Sequence, residues 1–257
     1  MVETLTWLPR IIGSLVLVGL AVGISRWQQV DLEKDMLVAV GRAFVQLLAI
    51  GYALDLIFSS RGPFWILLVV LVMITIAGYT AGRRGKQVPR ATQVATLAVS
   101  VGAILTLGLL IGLDVFPFEP RFIIPIAGMI VGNAMTVTGL VMARLRDDLR
   151  LQRAQIEAAL ALGATKRQAA GSQIRRALTT GMTPIVDNTK TVGLISLPGA
   201  MTGMILAGAS PLEAVQLQII VMYMLIGAAA FSGLTAAFLT YQQFFTKAHQ
   251  LILIEKP

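Results

Sequence analysis

The chain has 257 residues, 56% hydrophobic and only 13% charged, with a mean hydropathy of +0.79. Soluble domains carry about 25% charged residues, so this composition excludes an ordinary soluble enzyme or binding module and indicates an integral membrane protein. The net charge of +8 reads as Lys and Arg gathered in loops on one side of a bilayer, with no nucleic-acid partner, and the lack of cysteine excludes disulfides and thiolate metal sites.

About 20 apolar residues cross a bilayer as a helix. On that rule the chain holds about seven transmembrane helices: Leu8–Ile24, Met36–Phe58, Phe64–Gly82, Gln93–Leu113, Phe122–Ala143, Thr183–Leu206 and Leu212–Leu239. Glu3 precedes the first run and no basic residue does until Arg10, unlike a signal peptide, so this run is expected to be a retained span. The basic loop Arg83–Arg90 should be cytoplasmic. Alternation then sets the N-terminus outside and the C-terminus inside, with 16 of the 21 Lys and Arg inside and only Arg10, Arg61 and Arg121 outside. No composition break separates a soluble part. The expected fold is an all-α polytopic membrane protein, a single domain over residues 1–257.

Polar residues inside spans are costly and therefore candidates for function. Arg42 and Gln46 lie one turn apart on the second span. Asn133, Met135 and Thr136 lie near the middle of the fifth. The sixth carries Asp187, Asn188 and Lys190, and Thr180, Thr183, Asp187, Lys190 and Thr191 share one helical face that should point into the bundle or a wet cavity. Asp187 could face Arg42 across the bundle or neutralise Lys190 on its own helix. Further on, Pro198 and Gly199 make either a kink or a true break near mid-membrane, with Met201 just beyond. These residues form the candidate substrate path. Met129, Met135, Met142, Met201 and Met204 could offer thioethers to a soft metal, but they also suit apolar packing, and no metal site is defined. The sole histidine, His249, lies near the C-terminus. Glycines recur four apart at Gly19/Gly23, Gly78/Gly82, Gly108/Gly112, Gly128/Gly132 and Gly199/Gly203, a spacing that lets membrane helices approach closely.

No phosphate-binding loop, zinc-binding helix or nucleophile elbow occurs. The chain is therefore expected not to be an enzyme and to carry no cofactor of its own. The remaining polar interval is the loop of residues 144–179, rich in Arg. Leu151 to Leu162 is free of Gly and Pro, and Gly163 should end or bend that helix. Ile156, Ala159, Leu160 and Gly163 lie along one side, a small apolar surface suited to a partner's groove.

Glu157-Ala158-Ala159, three residues, then Gly163 resembles the EAA loop of ABC-transporter permeases, whose short coupling helix docks into the nucleotide-binding subunit. The second half of that motif is absent, since Ile174-Arg175-Arg176-Ala177 stands where Ile-x-Leu-Pro is usual. Four segments in order resemble the Fet-type family of ABC permeases, which includes bacterial iron-export permeases and plant aluminium-tolerance permeases. They are Ile126–Thr136, Ile156–Thr165, Val192–Gly203 and Gly208–Ala214. Lys190 and Met204 depart from the residues expected in many relatives.

The resemblance implies a transmembrane subunit in the inner (plasma) membrane, paired with a second copy and with a separate nucleotide-binding subunit that carries ATP and Mg. It implies coupling through Glu157, Ala158, Ala159, Leu160 and Gly163, and a metal ion or metal complex, iron above others, as exported cargo. The alternatives are an importer of a small solute and a non-transporting membrane scaffold.

Overall fold

A computed structural model describes residues 8–59, 62–246, 248 and 250–252. Glu3, Arg61, Lys247, His249 and Lys256, which entered the signal, charge and metal arguments, lie outside the described residues. The chain divides at Arg61 into two units.

The first unit is a helical hairpin of α1 (Leu8–Trp27) and α2 (Glu33–Ser59). Gln29 and Asp31 take left-handed backbone in the turn, and Ser25 Oγ donates to Glu33 Oε1 at 3.1 Å across it.

The second unit holds α3 (Pro63–Arg84), α4 (Ala91–Gly112), α5 (Pro120–Leu151), α6 (Arg153–Ala161), α7 (Lys166–Ala169), α8 (Gly171–Thr191), α9 (Gly199–Leu206) and α10 (Pro211–Gln243). Pro63, Pro120 and Pro211 each sit in the first turn of their helix, where a missing N–H costs nothing. Among the described residues, five helices are long and apolar enough to cross a membrane: α2, α3, α4, α5 and α10. At 1.5 Å per residue, the 32 residues of α5 span about 48 Å, well beyond a ~30 Å hydrocarbon core. Its last turns, from Arg144 to Leu151, therefore extend past the ~20 residues a bilayer needs.

Packing joins α3, α4, α5, α8 and α10 around two continuous apolar clusters. One glycine pair of the five explains a contact. A Cβ on Gly82 would lie 2.6 Å from Thr92 Cα, and one on Gly78 2.6 Å from Thr96 Cα, so the α3 and α4 backbones touch there. At Gly19, Gly23, Gly108, Gly112, Gly199 and Gly203 a Cβ would meet nothing within 4 Å.

The predicted sixth span is corrected. It is a polar helix, α8, that starts at Gly171 and stops at Thr191, followed by irregular backbone over residues 192–198 and then the short α9. The helix continues through Pro184. The chain turns at Gly193, with φ +82°, whose N–H bonds Ser196 O at 2.9 Å. The interruption thus precedes Pro198, which serves as the N-cap of α9.

One end of this unit gathers several segments. Arg146 Nη1 donates to Lys86 O at 2.6 Å, and Arg150 donates to Gln87, tying the end of α5 to the α3–α4 turn. Gln173 Nε2 donates to Gln152 Oε1 at 2.6 Å. Val88, Leu149, Ile156, Ala170, Tyr241 and Phe244 share one core at this end. The end of α5, the short helices α6 and α7, the start of α8 and the end of α10 therefore form one platform.

Candidate functional site

The loop of residues 144–179 is built from α6 and α7 on that platform. Gln152 interrupts the long helix after Leu151. Ile156 is 1% exposed and belongs to the core beneath it, with Leu160 packed half-buried beside it. This corrects the predicted partner surface at Ile156, which is spent on holding α6 to its own chain, while Leu160 keeps part of its surface open. The exposed face carries Glu157, Ala158, Ala161 and Leu162, the last 90% exposed. Ala159 lies between the two faces. Such a helix is rigidly seated yet leaves small and apolar groups uncovered.

Gly163 ends α6, as its position required. It sits at φ +88°, where a side chain is strained. Ala164 N–H bonds Ala159 O and Gly163 N–H bonds Leu160 O, both at 3.0 Å, the paired closure that finishes a helix on a left-handed residue. Two residues on, Thr165 caps α7 through a reciprocal capping box with Gln168. Glu157 pairs with Arg153 at 2.7 Å, both about half exposed, which orients the carboxylate but adds little stability.

Of the predicted path residues, Arg42 and Gln46 are exposed on α2 in the first unit. In the second unit, Asn133 Nδ2 donates to Leu225 O at 2.8 Å, fastening α5 to α10. Thr136 Oγ1 bonds back to Gly132 O, and Met135 fills space between the two apolar clusters. Asp187 and Lys190 pair on their own helix at 3.7 Å, with side chains 61% and 71% exposed. Asn188 is exposed beside them. The α8 face of Thr180, Thr183, Asp187 and Lys190 does not point into this unit's core; of the two expected settings, bundle interior or cavity, Thr183, Asp187 and Lys190 line a cavity of about 430 Å³. The opposite face fits the core because it is small: Gly181 has no room for a Cβ against Val141 Cγ2, and Ala177 and Ile185 flank it. Arg144, Arg175 and Arg176 border a cavity of about 370 Å³ at the platform end of the exposed face.

A second cavity, about 280 Å³, lies where α8 stops. Met201 is brought to it together with Thr189, Gln218 and Met222, three residues the sequence argument did not select. Gln218 is 5% exposed, and neither its Oε1 nor its Nε2 has a partner among the described residues. Leaving a buried polar group unpaired costs roughly 1–3 kcal/mol, so this amide stands out. Its trace in the sequence was a glutamine inside an apolar run, the criterion that selected Asn133. Among the described residues, no three His, Asp or Glu side chains group as a metal site.

The five long apolar helices define a multi-pass membrane protein. The family model described as "Uncharacterised protein family (UPF0014)" matches residues 8–245, and the chain belongs to that family. It is 52% identical over 97% of its length to the UPF0014 membrane protein STAR2 of Oryza sativa subsp. japonica, covering 87% of that protein. It is 55% identical to the Protein ALUMINUM SENSITIVE 3 of Arabidopsis thaliana, over 93% of this chain and 87% of the relative. To the Probable iron export permease protein FetB of Escherichia coli (strain K12) it is 42% identical, over 94% and 93% respectively. No solved structure matches the chain.

Proposed function

We propose that the chain is the transmembrane subunit of an ABC transporter that exports a metal ion, with iron as the first cargo to test. ATP and Mg would be bound by a separate nucleotide-binding subunit, and this chain would carry neither a nucleotide site nor a catalytic site. The observation that carries the reading is α6: a short exposed helix, seated by Ile156 on the ends of α5 and α10 and closed by a left-handed Gly163. A partner pressing on Glu157, Ala158, Ala161 and Leu162 would push on the core that Ile156 shares with the ends of α5 and α10.

The arrangement favours seven crossings, with α8 and α9 together forming one interrupted span, the platform in the cytoplasm and the N-terminus outside, in the inner membrane. The platform carries the basic segments 83–90 and 144–176, as the positive-inside bias requires. The polar face of α8 is too costly to leave against lipid. A second copy of the chain covering it would enclose a wet path between the two. In the proposed cycle, ATP binding closes the motor dimer, displaces α6, and rocks α5, α8 and α10 between inward-open and outward-open states.

The test is ATP-driven iron flux in vesicles holding the chain and the nucleotide-binding subunit from a neighbouring reading frame. The expected result is flux that Glu157→Lys abolishes while the chain still inserts. Undiminished ATP-driven flux and copurification in that variant would refute coupling through α6. Flux only in the opposite vesicle orientation would make the protein an importer.

A further inference from the structure

The cavity at the end of α8 has a chemistry of its own. Three sets of donors meet there. Met201, from α9, and Met222, from α10, contribute thioethers, and Thr189 Oγ1 lies 4.0 Å from Met222 Sδ. Gln218 contributes an unpartnered, buried amide. The third set is backbone. The N–H groups that would close on Thr189 O and Lys190 O belong to Gly193 and Leu194, but these bond Ser196 O and Thr191 O instead. Of the two, Thr189 lines the cavity, and among the described residues its carbonyl oxygen, at the C-terminal, negative end of α8, is thus left without a backbone donor. Half-helix ends with such free carbonyls are where interrupted membrane helices hold cations.

Among the described residues no charged side chain lines this cavity: Asp187 and Lys190 line a separate groove of α8. From this donor set we infer that the cavity is a binding site for a soft, singly charged metal cation. Thioethers select soft ions over hard ones such as magnesium or manganese. A wholly neutral donor set in apolar surroundings also penalises charge steeply. The Born cost grows with the square of the charge, so a divalent ion pays about four times as much as a monovalent one. The site is therefore ill suited to bare ferric or ferrous iron. The inference rests on reading the chain as a metal-ion permease, and it narrows what this part of the path would hold.

The test uses silver(I), a soft monovalent ion, on the full-length chain in lipid nanodiscs and chloride-free buffer. Thioethers bound to a metal resist oxidation, so the readout is the rate at which each methionine is converted to sulfoxide by peroxide, followed by peptide mass spectrometry. Stoichiometric silver should slow oxidation of Met201 and Met222 at least tenfold and leave the other methionines unaffected. Manganese(II) should protect neither. Met201→Leu, which nearly conserves volume, should remove the protection at Met222. Gln218→Leu should weaken it, with thermal unfolding checked to show that both variants stay folded.

Equal protection of all methionines, no protection, protection by manganese(II), or full protection of Met222 in Met201→Leu would each overturn the inference. Slow oxidation of the half-exposed Met201 without silver would also overturn it, because a lipid tail or other uncharged occupant would then fill the cavity. The two readings fail separately. ATP-driven iron flux without silver protection removes this site and keeps the transporter. Silver protection without ATP-driven flux keeps the site and removes the transporter.

Discussion

Replacing Gly163 by Val isolates the cost of one backbone conformation at the proposed point of force entry. A Cβ there would meet nothing within 4 Å, so no steric clash with neighbours contributes. The penalty comes from holding a side chain at φ +88°, about 1–2 kcal/mol for an L-residue in left-handed backbone and more for a β-branched one. The bonds at stake are the two 3.0 Å closures from residues 163 and 164 to Leu160 O and Ala159 O. A local loss of 1–2 kcal/mol raises the population of the opened helix end roughly 5–30-fold. Hydrogen exchange of the peptide spanning residues 153–170, measured in nanodiscs, should accelerate by that factor, while exchange in α3 and α4 stays unchanged. Gly163→Asn should stay close to the parent, because Asn tolerates the left-handed region. Stimulation of the proposed ATPase partner should fall in the Val variant and survive in the Asn variant. Parent-like exchange in Gly163→Val, or equal acceleration in both variants, would refute the argument that this φ fixes the end of α6.

Other outcomes follow from the packing. Gly82→Leu should destabilise the second unit by about 1–3 kcal/mol in detergent unfolding, as overpacking does, because its Cβ would meet Thr92 Cα at 2.6 Å; Gly108→Ala, facing open space, is the neutral control. Asn133→Leu should cost about 1 kcal/mol through loss of the 2.8 Å bond to Leu225 O, read by the same unfolding assay. Asp187→Ala should change stability by less than about 0.5 kcal/mol, since its pairing with Lys190 is long and exposed; a lower flux in that folded variant would assign Asp187 to the path. Ile156→Asp should detach α6 from the platform, seen as protease cleavage between residues 151 and 165, because a charge cannot be left in that core.

Much of this architecture follows from local rules that a sequence carries openly. The apolar runs of α2, α3, α4, α5 and α10 were legible to within a few residues at most ends. A helix in a membrane satisfies its own backbone, so hydrophobic length suffices to locate it. The left-handed Gly163 was legible for the same reason, since a helix end is decided by a few neighbouring dihedrals. The stop of α5 at Leu151 was not, because the apolar run had already ended at Ala143 and helix formers continued past it.

Tertiary structure decided which way each helix faces and who meets whom. Ile156 turns inward because the ends of α5 and α10 offer a core there. The small face of α8 turns inward because Gly181 and Ala177 fit against α5, leaving Asp187 and Lys190 outside that core. Met201, Gln218, Met222 and the end of α8 come together only when α9 folds back on α10. Periodicity fixes the spacing of residues on one helix. The partners that a face finds on another helix are set by shape and packing between segments far apart in the chain, and the sequence alone determines them only through the fold.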